Sequence, residues 1–211
     1  MSPTPDLWLD PIPPELHEHA RTAIDRGDAI GFLRTASNEN GLNLVVANGD
    51  VLRERGLYER ALLHALTATR VNNHGMSIDL LRMLFNWADK AKLRACGDPL
   101  PGPGPFTVYR GVAGRGSARR IPGLSWTGSP TKAAWFAERL LLPDPAVFTV
   151  TVDADAVLAY SNARREDEYV VMLPDSVRPR RVKPERIAAL RASEAAVSND
   201  NPLGPAPRLD V

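Results

Sequence analysis

Between residues 96 and 106 the chain reads CGDPLPGPGPF, and no regular element can run through it. Proline lacks the backbone N–H that helices and ladders need, and glycine offers no side chain to hold either conformation. The stretch divides the chain into two parts whose patterns differ in period. Before it, apolar residues recur at helical spacing; beyond it, short β-branched runs alternate or run continuously. Helices followed by strands read as an α+β protein, with a helical region over 15–96 and a strand-rich core over 97–191.

Residues 1–14, MSPTPDLWLDPIPP, are expected to be extended. A helix is predicted over Glu15–Arg26, with Leu16, Ala20, Ala23 and Ile24 on one face and Gly27 ending it. Asp28 is expected to cap a second, short helix reaching Ser37, and NENG then turns the chain. Gly49 and Gly56 divide residues 42–72 into pieces, Asp50 serving as a cap and Leu57–Arg70 forming the strongest piece. VNNHG breaks the pattern. One long amphipathic helix is then predicted over Met76–Ala95, marked by Ile78, Leu81, Met83, Leu84, Phe85 and Trp87.

In the second part FTVYRG, AVFTVTV, AVLAYS and EYVVML read as strands, and VRPRRV as a proline-limited edge strand. SPTKAAWFAERLL reads as a helix behind a Ser or Thr cap. Residues 192–211, rich in Ser, Asn, Pro and Ala, read as a flexible tail.

Several function classes fall away on composition. With 26 basic against 25 acidic residues the formal charge is +1, so no global field gathers nucleic acid or membrane. The one basic run, RPRRVKPER at 178–186, reads as a solvated strand. Cys96 is the sole cysteine, which removes an intrachain disulfide framework and a multi-cysteine zinc site. His17, His19, His64 and His74 show no zinc-ligand spacing; His17 and His19, two apart, do not share a helix face. RGVAGRG matches no phosphate-loop spacing, and GLSWT is not a nucleophile elbow. No apolar run of about 20 residues is present, and the N-terminus lacks a basic start followed by an apolar core. The expectation is a cytoplasmic protein without membrane association, signal-independent export or delivery into a target cell staying open.

Three short motifs in the second part carry candidate chemistry: YRG at 109–111, SWT at 125–127 and EDE at 166–168. Singly, each has an ordinary explanation in a solvated strand end, backbone satisfaction or a surface acidic run. In an extended chain, however, Glu166 and Glu168 would share one face, roughly 6 to 7 Å apart. In this order and context, across about residues 105–173, the motifs resemble the Arg-Ser-Glu class of mono-ADP-ribosyltransferases. There an Arg ends the first core strand, a Ser-x-Ser or Ser-x-Thr opens a second, and a Glu-x-Glu pair precedes a later one. The helical first part lies outside the resemblance.

The resemblance implies a split β-sheet core that binds NAD as co-substrate and needs no metal. Arg110 would grip the pyrophosphate or adjoining ribose with its planar donor fork. Ser125 would orient Glu168, with Thr127 supporting from the same strand face. Glu168 would accept from the nicotinamide-ribose 2′-OH and stabilise the cation that forms as the glycosidic bond breaks. Glu166 would orient or deprotonate the acceptor. Phe136, Trp135, Trp126 and Tyr160 are candidate walls for the nicotinamide and adenine rings, and Phe136 and Thr127 are placed among the NAD contacts beside Arg110, Ser125 and Glu168. Tyr160, expected on a substrate-facing turn just before the acidic pair, is assigned with Arg164 and Arg165 to acceptor recognition.

The implied acceptor is a macromolecule, protein or nucleic acid, with an arginine side chain favoured. A toxin or effector role with a cognate antitoxin or immunity protein follows from the same resemblance. Two alternatives stand beside it. Water as acceptor makes the chain an NAD glycohydrolase; loss of turnover makes it an NAD- or nucleic-acid-binding interaction protein.

Overall fold

A computed structural model describes residues 6–68, 76–116, 119, 121, 123–139 and 141–199. The VNNHG break, His74, Leu140 and the last twelve residues of the expected tail lie outside the described residues.

The first part is helical: α1 (His17–Asp25), α2 (Ala29–Arg34), α3 (Gly41–Ala47), α4 (Gly49–Glu54), α5 (Tyr58–Ala68), α6 (Ile78–Trp87) and α7 (Lys90–Ala95). Gly27 follows α1 at φ +74°, a conformation glycine reaches without steric cost. The Asp28 carboxylate accepts from Gly31 N and opens α2 as expected. Residues 7–12 are more than a loose leader, since Leu7, Leu9 and Ile12 are buried. The buried Asn48 side chain fastens them by accepting from Trp8 N at 2.8 Å and donating to Trp8 O at 3.0 Å. Asn48, rather than Asp50, is the residue that precedes α4; Asp50 sits inside its first turn.

The single helix predicted over 76–95 is two. Ala88 takes an extended conformation, and the Asp89 side chain accepts from Ala91 N and Lys92 N, capping α7. Aspartate serves a helix better at its N-cap than in its interior, and the buried Glu59 stabilises the break by accepting from Asp89 N at 3.0 Å. Apolar periodicity continues across the junction because both helices pack on one core.

The second part supplies β1 (Phe106–Val112), β2 (Ser125–Thr127), β3 (Ala146–Val152), β4 (Val157–Ser161), β5 (Glu168–Val171) and β6 (Arg180–Arg181), with α8 (Pro130–Glu138) and α9 (Pro184–Asn199). The strands form an antiparallel sheet in the order β4-β5-β2-β1-β3-β6. Its two halves differ in cohesion: β1 and β3 pair along seven positions, whereas β1 and β2 meet only at Tyr109 opposite Thr127. Of the basic run at 178–186 only Arg180–Arg181 form the exposed edge β6, and Pro184 already opens α9. Helix α9 continues through residues 192–199, which composition alone assigns to a flexible tail.

Helix α8 lies against β1, and Gly111 is what lets it. A Cβ there would stand 2.7 Å from Ala137 N and 2.9 Å from the carbonyl carbon of Ala133, inside any permitted contact. Ser129 caps α8 by accepting from Lys132 N. One large apolar core runs from α1–α7 into the sheet through Leu124, Leu158, Ala159 and Val170; a second gathers Val108, Trp126, Tyr160, Tyr169 and Val171.

Candidate active site

Strand β2 brings the first two motifs together. The Arg110 guanidinium reaches from β1 to donate to the Ser125 carbonyl through Nη1. It lies directly over Gly123, where a Cβ would come within 2.7 Å of Nε and closer still to Cζ. The Ser125 hydroxyl donates to Glu168 Oε1, a contact made possible by the antiparallel register that sets Ser125 opposite Val170 and Thr127 opposite Glu168. The structure thus brings Arg110, Ser125 and Glu168 together around one short strand.

Glu168 is 7% exposed, yet bears a carboxylate on the first residue of a strand. Burial pushes its carboxyl above the ordinary carboxylate range. The Ser125 hydrogen bond, then Arg164, pull it back; Glu166 adds to the upward push, and Arg110 opposes it. A buried anion with one donor on one oxygen and cations nearby is suited to meeting positive charge that appears transiently beside it.

Glu166 and Glu168 do face a common point, but strand alternation is not the cause. Strand β5 begins at Glu168, and Asp167 between the two glutamates sits at φ +52°. Aspartate tolerates this left-handed conformation better than most residues. What unites the pair is Arg164, whose Nη2 lies 2.7 Å from Glu166 Oε2 and 3.7 Å from Glu168 Oε2.

The remaining predicted residues divide. Thr127 is buried, and its hydroxyl donates to the Glu166 carbonyl at 2.7 Å and accepts from Ser129 N at 3.1 Å. It therefore fixes the backbone of the acidic segment, a different duty from the NAD contact expected of it. Tyr160 is not on an open turn: it is buried on β4, and its hydroxyl donates to Asp167 Oδ1 at 2.7 Å. Burial, and then that carboxylate, raise the phenol well above its ordinary pKa. Trp126 is core, with its indole N–H donating to Gly123 O at 2.9 Å, so it cannot wall a ligand cleft. Phe136 is half-buried on α8, edge-on to the exposed Trp135 at 5.2 Å, with Arg139 over both rings. Arg165 is exposed at φ +55°.

Three positions escaped the sequence reading. Gly123 leaves room for the Arg110 guanidinium. Gly128 makes room for the Asp167 carboxylate and donates its N–H to Asp167 O at 3.0 Å. Asn162 holds the loop through Oδ1, which accepts from Asp167 N at 3.2 Å. The glycines flanking SWT were the available signal, since a glycine beside a motif often marks a close approach.

Among the described residues no group of three His, Cys, Asp or Glu side chains is placed to hold a metal ion. Nor is any described helix long and apolar enough to cross a membrane. Compared with protein-family models, curated proteins and solved structures, the chain finds no match.

Proposed function

We propose that the chain is an NAD-dependent mono-ADP-ribosyltransferase with a split-sheet core, acting on a macromolecular acceptor. The observation that carries this reading is the linked triad: guanidinium on the Ser125 carbonyl, Ser125 hydroxyl on Glu168, both over one short strand. The near-separation of the sheet at the single Tyr109–Thr127 pairing supports it further.

In this reading Arg110 binds the diphosphate of NAD, and Ser125 holds Glu168 so that its carboxylate meets the nicotinamide ribose. The bond between C1′ and the nicotinamide nitrogen breaks, and its electron pair leaves with nicotinamide, which becomes neutral. Charge develops on the ribose in an oxocarbenium-like transition state, which Glu168 stabilises. An acceptor heteroatom closes on C1′ and loses its proton to Glu166 or solvent.

The test is release of nicotinamide from NAD by the purified chain, alongside E168Q. Release that falls by about 10²–10³-fold in the variant is expected, the size of loss seen when one transition-state electrostatic partner is removed. No release at saturating NAD, or undiminished release by E168Q, overturns the reading. Transfer of labelled NAD to separated protein, RNA and DNA fractions assigns the acceptor, and release without label in any fraction assigns water.

A further inference from the structure

Arg164 occupies an unusual place for a surface arginine. It comes from the loop between β4 and β5, and its side chain is 43% exposed, yet one guanidinium nitrogen lies between the two glutamates. On Glu168 the oxygen it approaches is Oε2, while Ser125 holds Oε1. An ion pair that merely neutralised the acidic run would need only Glu166, two residues away. No ion pair among the described residues involves the neighbouring Arg165.

We infer that Arg164 is an intramolecular acceptor, a guanidinium already seated where transfer takes place, and that the chain ADP-ribosylates itself there. The inference rests on the proposed transferase reading, because it takes Glu168 as the residue beside the nicotinamide ribose. Arg164 Nη2 then lies between the group that stabilises C1′ and the group that accepts a proton. The step balances: the C1′–nicotinamide bond breaks with its electron pair going to neutral nicotinamide, and the Nη2 lone pair forms the new C1′–N bond. One guanidinium proton passes to Glu166 and on to solvent. Because the catalytic glutamate and the acceptor sit in one chain, the reaction is first order in protein.

The experiment incubates the full chain with NAD and reads two quantities together, nicotinamide in solution and ADP-ribose on peptides by mass spectrometry. One adduct per chain on Arg164 is expected, at a fractional rate independent of protein concentration. It should be absent from E168Q and lost from this position in R164K, which keeps the charge but not the guanidine. Nicotinamide release with no adduct on Arg164 overturns self-modification and leaves the transferase reading standing. So does labelling of Arg165 in preference to Arg164, which would mark general reactivity of the loop. No nicotinamide release by any form overturns both.

Discussion

Gly123→Ala tests the site without touching a charged group. The added Cβ would lie 2.7 Å from Arg110 Nε and nearer to Cζ, where ordinary contact begins near 3.4 Å, so the guanidinium must retreat by roughly 1 Å. The far end of a long side chain moves at little cost, and Gly123 does not need a positive φ, so the fold should survive. The bond from Nη1 to the Ser125 carbonyl should not, since the cation would leave hydrogen-bond range. A displaced guanidinium also loses a charge-assisted bond to the NAD diphosphate in the proposed complex, worth about 1.5–3 kcal/mol, and each 1.4 kcal/mol is tenfold in binding. The expected result is about 10- to 100-fold weaker NAD binding by calorimetry, in a chain that still unfolds cooperatively at a somewhat lower midpoint. R110K, which keeps charge and loses the fork, should fall in the same range. If G123A binds NAD as the parent does while R110K does not, the glycine is not what seats the guanidinium. If both bind normally, Arg110 does not hold NAD.

Gly111→Ala should behave oppositely: its Cβ meets the α8 backbone, which cannot swing aside, so a loss of about 1–3 kcal/mol or more in stability is expected in chemical denaturation. E168Q should unfold at a higher temperature than the parent at pH 7. A carboxyl raised by burial is stabilising while protonated and loses that advantage as pH rises through its folded-state value, a cost the neutral isostere avoids. The gap should close as pH falls toward the ordinary 4.5, and a lower midpoint for E168Q at pH 7 would contradict it. The same shift places the acid limb of kcat/KM for nicotinamide release above 4.5, because the active form is the ionised one. E166A should lower transfer to a macromolecular acceptor by about 10²-fold while release into water changes little; equal losses in both assays would remove Glu166 from the acceptor side.

Local rules made much of the fold legible. The β-branched runs at 106–112 and 146–152 became the longest ladder, and Asp28, Ser129, Gly27 and Gly56 punctuate helices where their chemistry places them. The misses have two causes, a partner distant in sequence and the local path of the acidic loop. Asp89 breaks a continuous apolar pattern because Glu59, thirty residues earlier, accepts its N–H. Tyr160 reads as an accessible aromatic near an acidic loop, but Asp167 turns its hydroxyl inward. Strand alternation would pair Glu166 with Glu168, and the left-handed Asp167 replaces it with a different geometry reaching a similar end.

That loop also explains why a helical layer accompanies the sheet. The segment after α7 is bonded to the end of β4: Asp98 N donates to Tyr160 O at 2.7 Å, and the Asp98 carboxylate accepts from Asn162 N at 2.7 Å. Asn162 in turn accepts from Asp167 N, and Thr127 holds the Glu166 carbonyl from the other side. The path from α7 to the two glutamates is thus a continuous series of backbone anchors. Arg60 of α5 strengthens its near end by donating to Cys96 O at 3.3 Å. A loop with two non-glycine residues at positive φ is costly to hold, about 1 kcal/mol or more for each. It keeps one shape only where its surroundings over-determine it, and here the segment after α7 supplies part of those surroundings. The apolar core makes the same point, since Leu158, Ala159 and Val170 of the sheet pack among helical residues. The proline- and glycine-rich stretch that separates two patterns in the sequence therefore joins, in the fold, a scaffold to the loop that it holds in place.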